Sequence, residues 1–241
     1  MLSKTTGIIL HQVKYSDSRS IVSIYTRKFG RVSYMVRGAN NKKSTCRAAL
    51  LQPLSVVEID VFHNPKKDIQ TIKDMRIAIP FFHIPYDPVK NGLALFMTEV
   101  LEKTLKHSEC DENLYFFIES SVCRLDECNE GVGNFHLVFM AQLAGRLGFL
   151  PDTTEAPTAQ YFDLLNGVFE YSKPAHTHYL IPETGDVFRK LTMMDYSMLS
   201  QLPMTRKQRG EMLNHFIEYY KIHLPDFHTL HSVEVLHKLW E

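Results

Sequence analysis

Along residues 1–80 apolar and polar side chains alternate with the two-residue period of half-buried strands. The pattern predicts strands at 7–13, 20–27, 31–37 and 54–62, and one within 68–79, with turns at 16–18, 28–30 and 63–65. In the second strand Val22, Ile24 and Thr26 lie opposite Ile21, Ser23, Tyr25 and Arg27. In the third, Val32, Tyr34 and Val36 alternate with Arg31, Ser33, Met35 and Arg37. In the fourth, Val57, Ile59 and Val61 face inward and Glu58 and Asp60 outward. Five short strands with one longer connection, 38–52, between the third and fourth suit a five-stranded OB-fold barrel, whose sheet face and loops commonly bind oligonucleotides. A small SH3-like barrel gives a similar pattern.

Pro80, Pro85 and Pro88 then mark a change of architecture, and the period becomes helical. Asp87-Pro88 reads as an N-cap followed by proline at the first helical position. It opens a helix to about 107 along Leu93, Phe96, Met97, Val100, Leu101 and Leu105. A second helix is expected at 111–128 and a third at 134–147, apolar on nearly every side and so central to a bundle. Gly148 stops it. Residues 151–182 read as a loop segment with a hairpin-like Asn166-Gly167. Met212, Leu213, Phe216, Ile217 and Tyr220 mark a further helix, and Leu230, Val233, Leu236 and Trp240 a last short one. The expected fold is α+β and multidomain: an N-terminal five-stranded OB-fold β-barrel (1–80), then an all-α helical domain (81–241) with a small hairpin-like insertion at about 151–182.

Charge sharpens this picture. The 27 Lys+Arg and 27 Asp+Glu cancel over 241 residues, yet residues 1–80 hold 14 basic and 5 acidic side chains. Such asymmetry points to a polyanion partner for the basic segment, since a basic surface attracts phosphate backbones whatever their sequence. Arg27, Lys28 and Arg31 flank the second turn, and Arg37, Lys42, Lys43 and Arg47 occupy the third strand's end and the long loop. The candidate DNA-binding set is Tyr25, Arg27, Arg31, Arg37, Lys42, Lys43 and Arg47, which combines phosphate neutralisation with an aromatic platform for a base. Tyr25 is alternatively a cross-strand packing residue.

Other chemistries find little support. Cys46, Cys110, Cys123 and Cys128 form no C-x-x-C pair, and Cys123 and Cys128, five apart on a helix, point about 140° from each other. Neither His176-Thr177-His178 nor His228-x-x-His231 sits beside a carboxylate or cysteine set of known ligand spacing, so no metal or cofactor is expected. There is no phosphate-binding loop, dinucleotide fingerprint, nucleophile elbow or H-E-x-x-H motif, and the acidic residues of the helices read as solvated faces; an enzyme is not expected. The longest charge-free stretch, 131–145, is too short for a membrane span, and a reducing cytoplasm is the expected location.

Gly7-Ile8-Ile9-Leu10, Tyr15-Ser16-Asp17-Ser18, Ile21-Val22, Thr26, Gly30, Arg37-Gly38-Ala39 and Gln52-Pro53-Leu54, taken in order, resemble the N-terminal signature of the RecO family. Gly148-Phe149-Leu150-Pro151, Phe162-Asp163, Asn166-Gly167-Val168-Phe169 and Leu230-His231-Ser232 with Leu236 resemble its helical part, so the similarity covers nearly the whole chain. Many members carry four cysteines around the hairpin and bind a structural zinc there. Residues 151–182 have none, which resembles the zinc-free branch. The resemblance implies a DNA repair and recombination mediator, nucleoid-associated, that binds single- and double-stranded DNA and anneals complementary strands. It implies action with RecR to help RecA replace single-strand-binding protein (SSB). The helical domain would dock the acidic, apolar SSB C-terminal tail, with Arg206, Lys207 and Arg209 as candidate cations; alternatively these are a solvated first turn. Two other readings stay open: a scaffold whose basic barrel docks an acidic protein, and a metal-dependent nucleic-acid enzyme using the scattered histidines.

Overall fold

The computed structural model describes residues 2–37, 48–106, 109–153 and 160–239. It divides into two compact units, 1–127 and 128–241. The first is built on a closed barrel of β1 (Leu2–Ser16), β2 (Arg19–Thr26), β3 (Gly30–Arg37), β4 (Val56–Phe62) and β5 (Ile69–Ile79). Its strand order is β1-β2-β3-β5-β4, closing back on β1. All pairings are antiparallel except β3 with β5, where Ser33 faces Ile69 in parallel register. That order and the single parallel pair make the barrel an OB-fold and exclude a simple meander. Ile9, Val22, Ile24, Tyr34, Val36, Val57, Ile59 and Val61 fill the interior, the inward set that alternation predicts.

Two helices, α1 (Pro88–Thr104) and α2 (Glu112–Glu127), belong to the same unit as the barrel. The sheet therefore gives way to helix near residue 80, as expected, but the compact units part only after Glu127. Asp87 caps α1 by accepting from the amides of Val89 and Lys90 at 2.8 and 3.1 Å. The linking segment is held from α2. The buried Asp126 carboxylate accepts the amides of Phe82, His83 and Ile84 at 3.0, 2.8 and 2.7 Å, and its own carbonyl accepts from Lys90 Nζ at 2.6 Å.

The second unit packs the apolar α3 (Phe135–Arg146) against α4 (Pro182–Met193) and α5 (Arg206–His223). A three-stranded sheet of β6 (Tyr161–Asp163), β7 (Val168–Glu170) and β8 (Tyr179–Leu180), in order β7-β6-β8, replaces the single expected hairpin. Its β6–β7 turn places Gly167 at φ 69°, where a Cβ would meet the Tyr219 hydroxyl at 2.9 Å. The chain closes with α6 (Ser232–Leu239). The sequence pattern did not mark α4, which starts on Pro182, the last residue of the stretch expected to be loop. Among the described residues no helix is long and apolar enough to cross a membrane.

Candidate nucleic-acid interface

Three of the expected DNA-contacting residues hold helices onto the barrel. Tyr25 does project from the outer side of β2, but it is wholly buried there. Its ring lies over Tyr115 of α2, with centroids 6.3 Å apart and planes at 29°, and its hydroxyl donates to the Asp111 carbonyl at 3.5 Å. It is the packing residue of the two alternatives and presents no face to a base. Arg27 pairs with Glu112 at 2.8 Å and lies 4.6 Å above the Phe116 ring. Arg31 donates through Nε to Ser23 Oγ at 3.0 Å and through a terminal nitrogen to the Glu102 carbonyl at 2.6 Å, with the Glu102 carboxylate 3.8 Å away. Burial lowers the Arg31 pKa against the opposing pull of Glu102, so this guanidinium is a partly desolvated cation.

Other basic residues of the barrel are exposed, though Lys4 and Arg76 both pair with Glu58. Arg37 is exposed at the end of β3 and stands directly across from exposed Arg19 on β2. At its outer end the β1–β2 hairpin forms an arm in which every residue from His11 to Arg19 is exposed, with β3 still paired to β2 as far as Arg19. A bulge between Lys14 and Ser16 releases Tyr15 from the ladder, and the residue is 63% exposed beside Val13 at 49%. Among the described residues Lys14 pairs only with the fully exposed Asp17, at 3.0 Å. Lys42, Lys43 and Arg47 lie outside the described residues.

A second basic feature escaped the sequence reading. Between β3 and the β4–β5 loop lies a pocket of about 490 Å³ lined by Arg31, Val32, Ser33, His63, Pro65, Lys67, Asp68, Gln70 and Lys106. Buried Gln70 braces the loop, accepting the Asn64 amide at 2.8 Å and donating to the carbonyls of Asn64 and Lys67 at 2.8 and 2.5 Å. The arm and this loop are the first–second and fourth–fifth connections of the OB-fold, the places where such barrels take oligonucleotides. The Pro65-Lys66-Lys67 turn was the available signal; the part played by Lys106, forty residues on, was visible only in three dimensions.

In the second unit the three cations proposed for an acidic tail part company. Arg206 donates to the His237 carbonyl of α6 at 3.0 Å. Arg209 donates to the Met204 carbonyl at 2.6 Å and packs over Gly133, and burial lowers its pKa. Lys207, its side chain 86% exposed, faces Glu211 at 3.8 Å. A Thr205–Gln208 capping box satisfies the α5 N-terminus. His176 and His178 are engaged separately, by Asp163 at 3.2 Å and Glu218 at 2.7 Å. Among the described residues no group of three or more His, Cys, Asp or Glu side chains is placed to hold a metal ion.

Comparison with known proteins agrees with this architecture. Residues 1–81 match a family model described as Recombination protein O N terminal, and residues 85–231 one described as Recombination protein O C terminal. The chain is 37% identical over 240 residues to a protein of Phocaeicola vulgatus named DNA repair protein RecO, and 36% identical over 242 residues to one of that name from Bacteroides fragilis. A Porphyromonas gingivalis protein, also so named, is 32% identical over 245 residues. In all three the match spans 100% of both chains.

Proposed function

This chain belongs to the RecO family of DNA repair proteins, and from that premise we propose that its barrel binds single-stranded DNA along the β1–β2 arm and the β4–β5 loop. On this reading the protein acts in repair by binding rather than by catalysis. The observation that carries the DNA reading is the arm itself. It holds Lys14, Arg19 and, across the ladder, Arg37 in solvent, with Tyr15 beside them to stack on a base. Lys28, Lys42, Lys43 and Arg47 extend the basic stretch in sequence. Arg27 contributes mainly by anchoring a helix, and Arg31 anchors one while also lining the basic pocket. A strand path of this kind, basic and sequence-tolerant, also serves double strands and the annealing of complementary strands.

The remaining proposals follow from the family resemblance: cooperation with RecR, help to RecA in displacing SSB, and a nucleoid-associated place in the cytoplasm. For the SSB tail, Lys207 is the candidate cation that points into solvent, while Arg206 would first have to release the His237 carbonyl.

Fluorescence anisotropy with labelled oligothymidylate across a salt series tests the DNA reading. Alanine at Lys14, Arg19 or Arg37 is expected to weaken binding similarly for all sequences. Each change is also expected to lower the salt slope by about 0.7. Binding absent at low salt, with capture of acidic proteins instead, would establish the scaffold reading in its place.

A further inference from the structure

The pocket between β3 and the β4–β5 loop has features that a surface tracking a strand does not require. Three cations reach it from three elements: Arg31 from β3, Lys67 from the braced loop, and Lys106 from the chain just beyond α1. Arg31 is fixed in place by Ser23 and the Glu102 carbonyl, and its side chain is only 19% exposed. Asp68 is the single carboxylate of the lining. Among the described residues Lys67 and Lys106 have no carboxylate partner, and Glu102, behind Arg31, offsets part of one charge. His63 adds a ring stacked on Phe29 at 4.0 Å and 10°, with Nδ1 buried and lacking a hydrogen-bond partner. The volume, about 490 Å³, is in the range of small-molecule sites and takes one nucleotide, not a duplex.

We propose that this pocket binds the terminal phosphomonoester of a nucleic-acid strand, a 5′- or 3′-phosphate, in preference to an internal phosphodiester. The inference rests on the strand-binding reading above and deepens it. An internal phosphodiester carries one charge and two free oxygens. A phosphomonoester carries about −1.5 to −2 at neutral pH and offers three acceptor oxygens. Cations converging from three directions, with a net surplus among the lining residues, fit the second group better than the first. Desolvation of Arg31 strengthens its charge-assisted hydrogen bonds relative to those of an open side chain.

The test uses the purified full chain with a labelled oligothymidylate already bound. Three unlabelled competitors of equal length carry a 5′-phosphate, a 3′-phosphate or hydroxyls at both ends. One phosphorylated competitor is expected to displace the probe about tenfold better than the hydroxyl form, and the two phosphorylated arms identify which end is read. That advantage is expected to disappear in Lys67→Ala and in Lys106→Ala. It should persist in Lys14→Ala, which lies on the arm outside the pocket and controls for the extra charge of the competitor. Equal displacement by all three competitors, or an advantage surviving both pocket variants, would overturn the inference while leaving strand binding intact. Failure of every oligonucleotide to bind would overturn both.

Discussion

His136 is a wholly buried imidazole on α3. Burial first, then the charge of Arg209, drives its pKa from 6.5 down to about 3, against a hydrogen bond with the Gly133 backbone that pulls upward. The unfolded chain therefore binds this proton more readily than the folded one. Stability is expected to be undiminished above pH 6.5 and to fall as pH drops from there toward 3, with a slope approaching 1.4 kcal/mol per pH unit. Urea midpoints measured across that range should show the slope, and His136→Phe should flatten it. Asp126 is shifted in the same direction but is held charged rather than neutral. Burial alone would raise its pKa, but three backbone amides and His83 hold it below 3.8. Asp126→Ala leaves those amides unsatisfied and is expected to cost about 3 kcal/mol, read by denaturant unfolding. Tyr25 shows how far a single position could be read. Its outward direction was legible from alternation, because side-chain parity is a property of the strand itself. That α2 covers it was not, because the covering residue, Tyr115, is ninety positions away and nothing local marks the pair. Tyr25→Phe is accordingly expected to leave DNA affinity unchanged in the anisotropy assay, whereas Tyr25→Ala should lower the melting temperature sharply.

At the scale of elements, the strands and the first three helices were legible because each carries its own period and its own punctuation. Asp87-Pro88 opens α1 where the sequence says it should, and β4 runs within one or two residues of its apolar alternation. Failure came where burial is sparse. The burial of α4 falls on Gly185, Phe188 and Leu191, one residue per turn, too thin a stripe for a hydrophobic period to announce. Its stability comes from tertiary contact instead: the Phe188 ring lies 4.4 Å from that of Phe216 on α5 and 4.9 Å from that of Phe162 on β6. Phe188→Ala is expected to cost 3–5 kcal/mol, roughly the value for a buried aromatic, and to broaden amide resonances of β6 and β8 before those of the barrel. The arm escaped for the contrary reason. Residues 16–18 read as a turn and the strands as 7–13 and 20–27, and only the ladder, with Ser16 facing Arg19, shows that the hairpin continues to that turn.

For the whole molecule, the family models change over between residues 81 and 85, whereas packing places α1 and α2 with the barrel and divides after Glu127. Tyr25, Arg27 and Arg31 explain the difference, since each finds its partner on those helices. A fragment of residues 1–127 is therefore expected to melt cooperatively and give dispersed amide spectra. A fragment ending at residue 80 should melt lower and more broadly. The charge asymmetry was legible from composition and the OB-fold from the strand pattern, with an SH3-like barrel as its alternative; which cations remain in solvent was not, because a guanidinium serves equally well as a bolt or as a bait. Arg31 is both. It ties the last turn of α1 through the Glu102 carbonyl and also forms part of the wall of the basic pocket. An anion entering that pocket must compete with a helix end for the same donors, so occupancy becomes a tension felt along α1. Faster amide exchange at the C-terminal turn of that helix, far from any base, would then report that the pocket had filled.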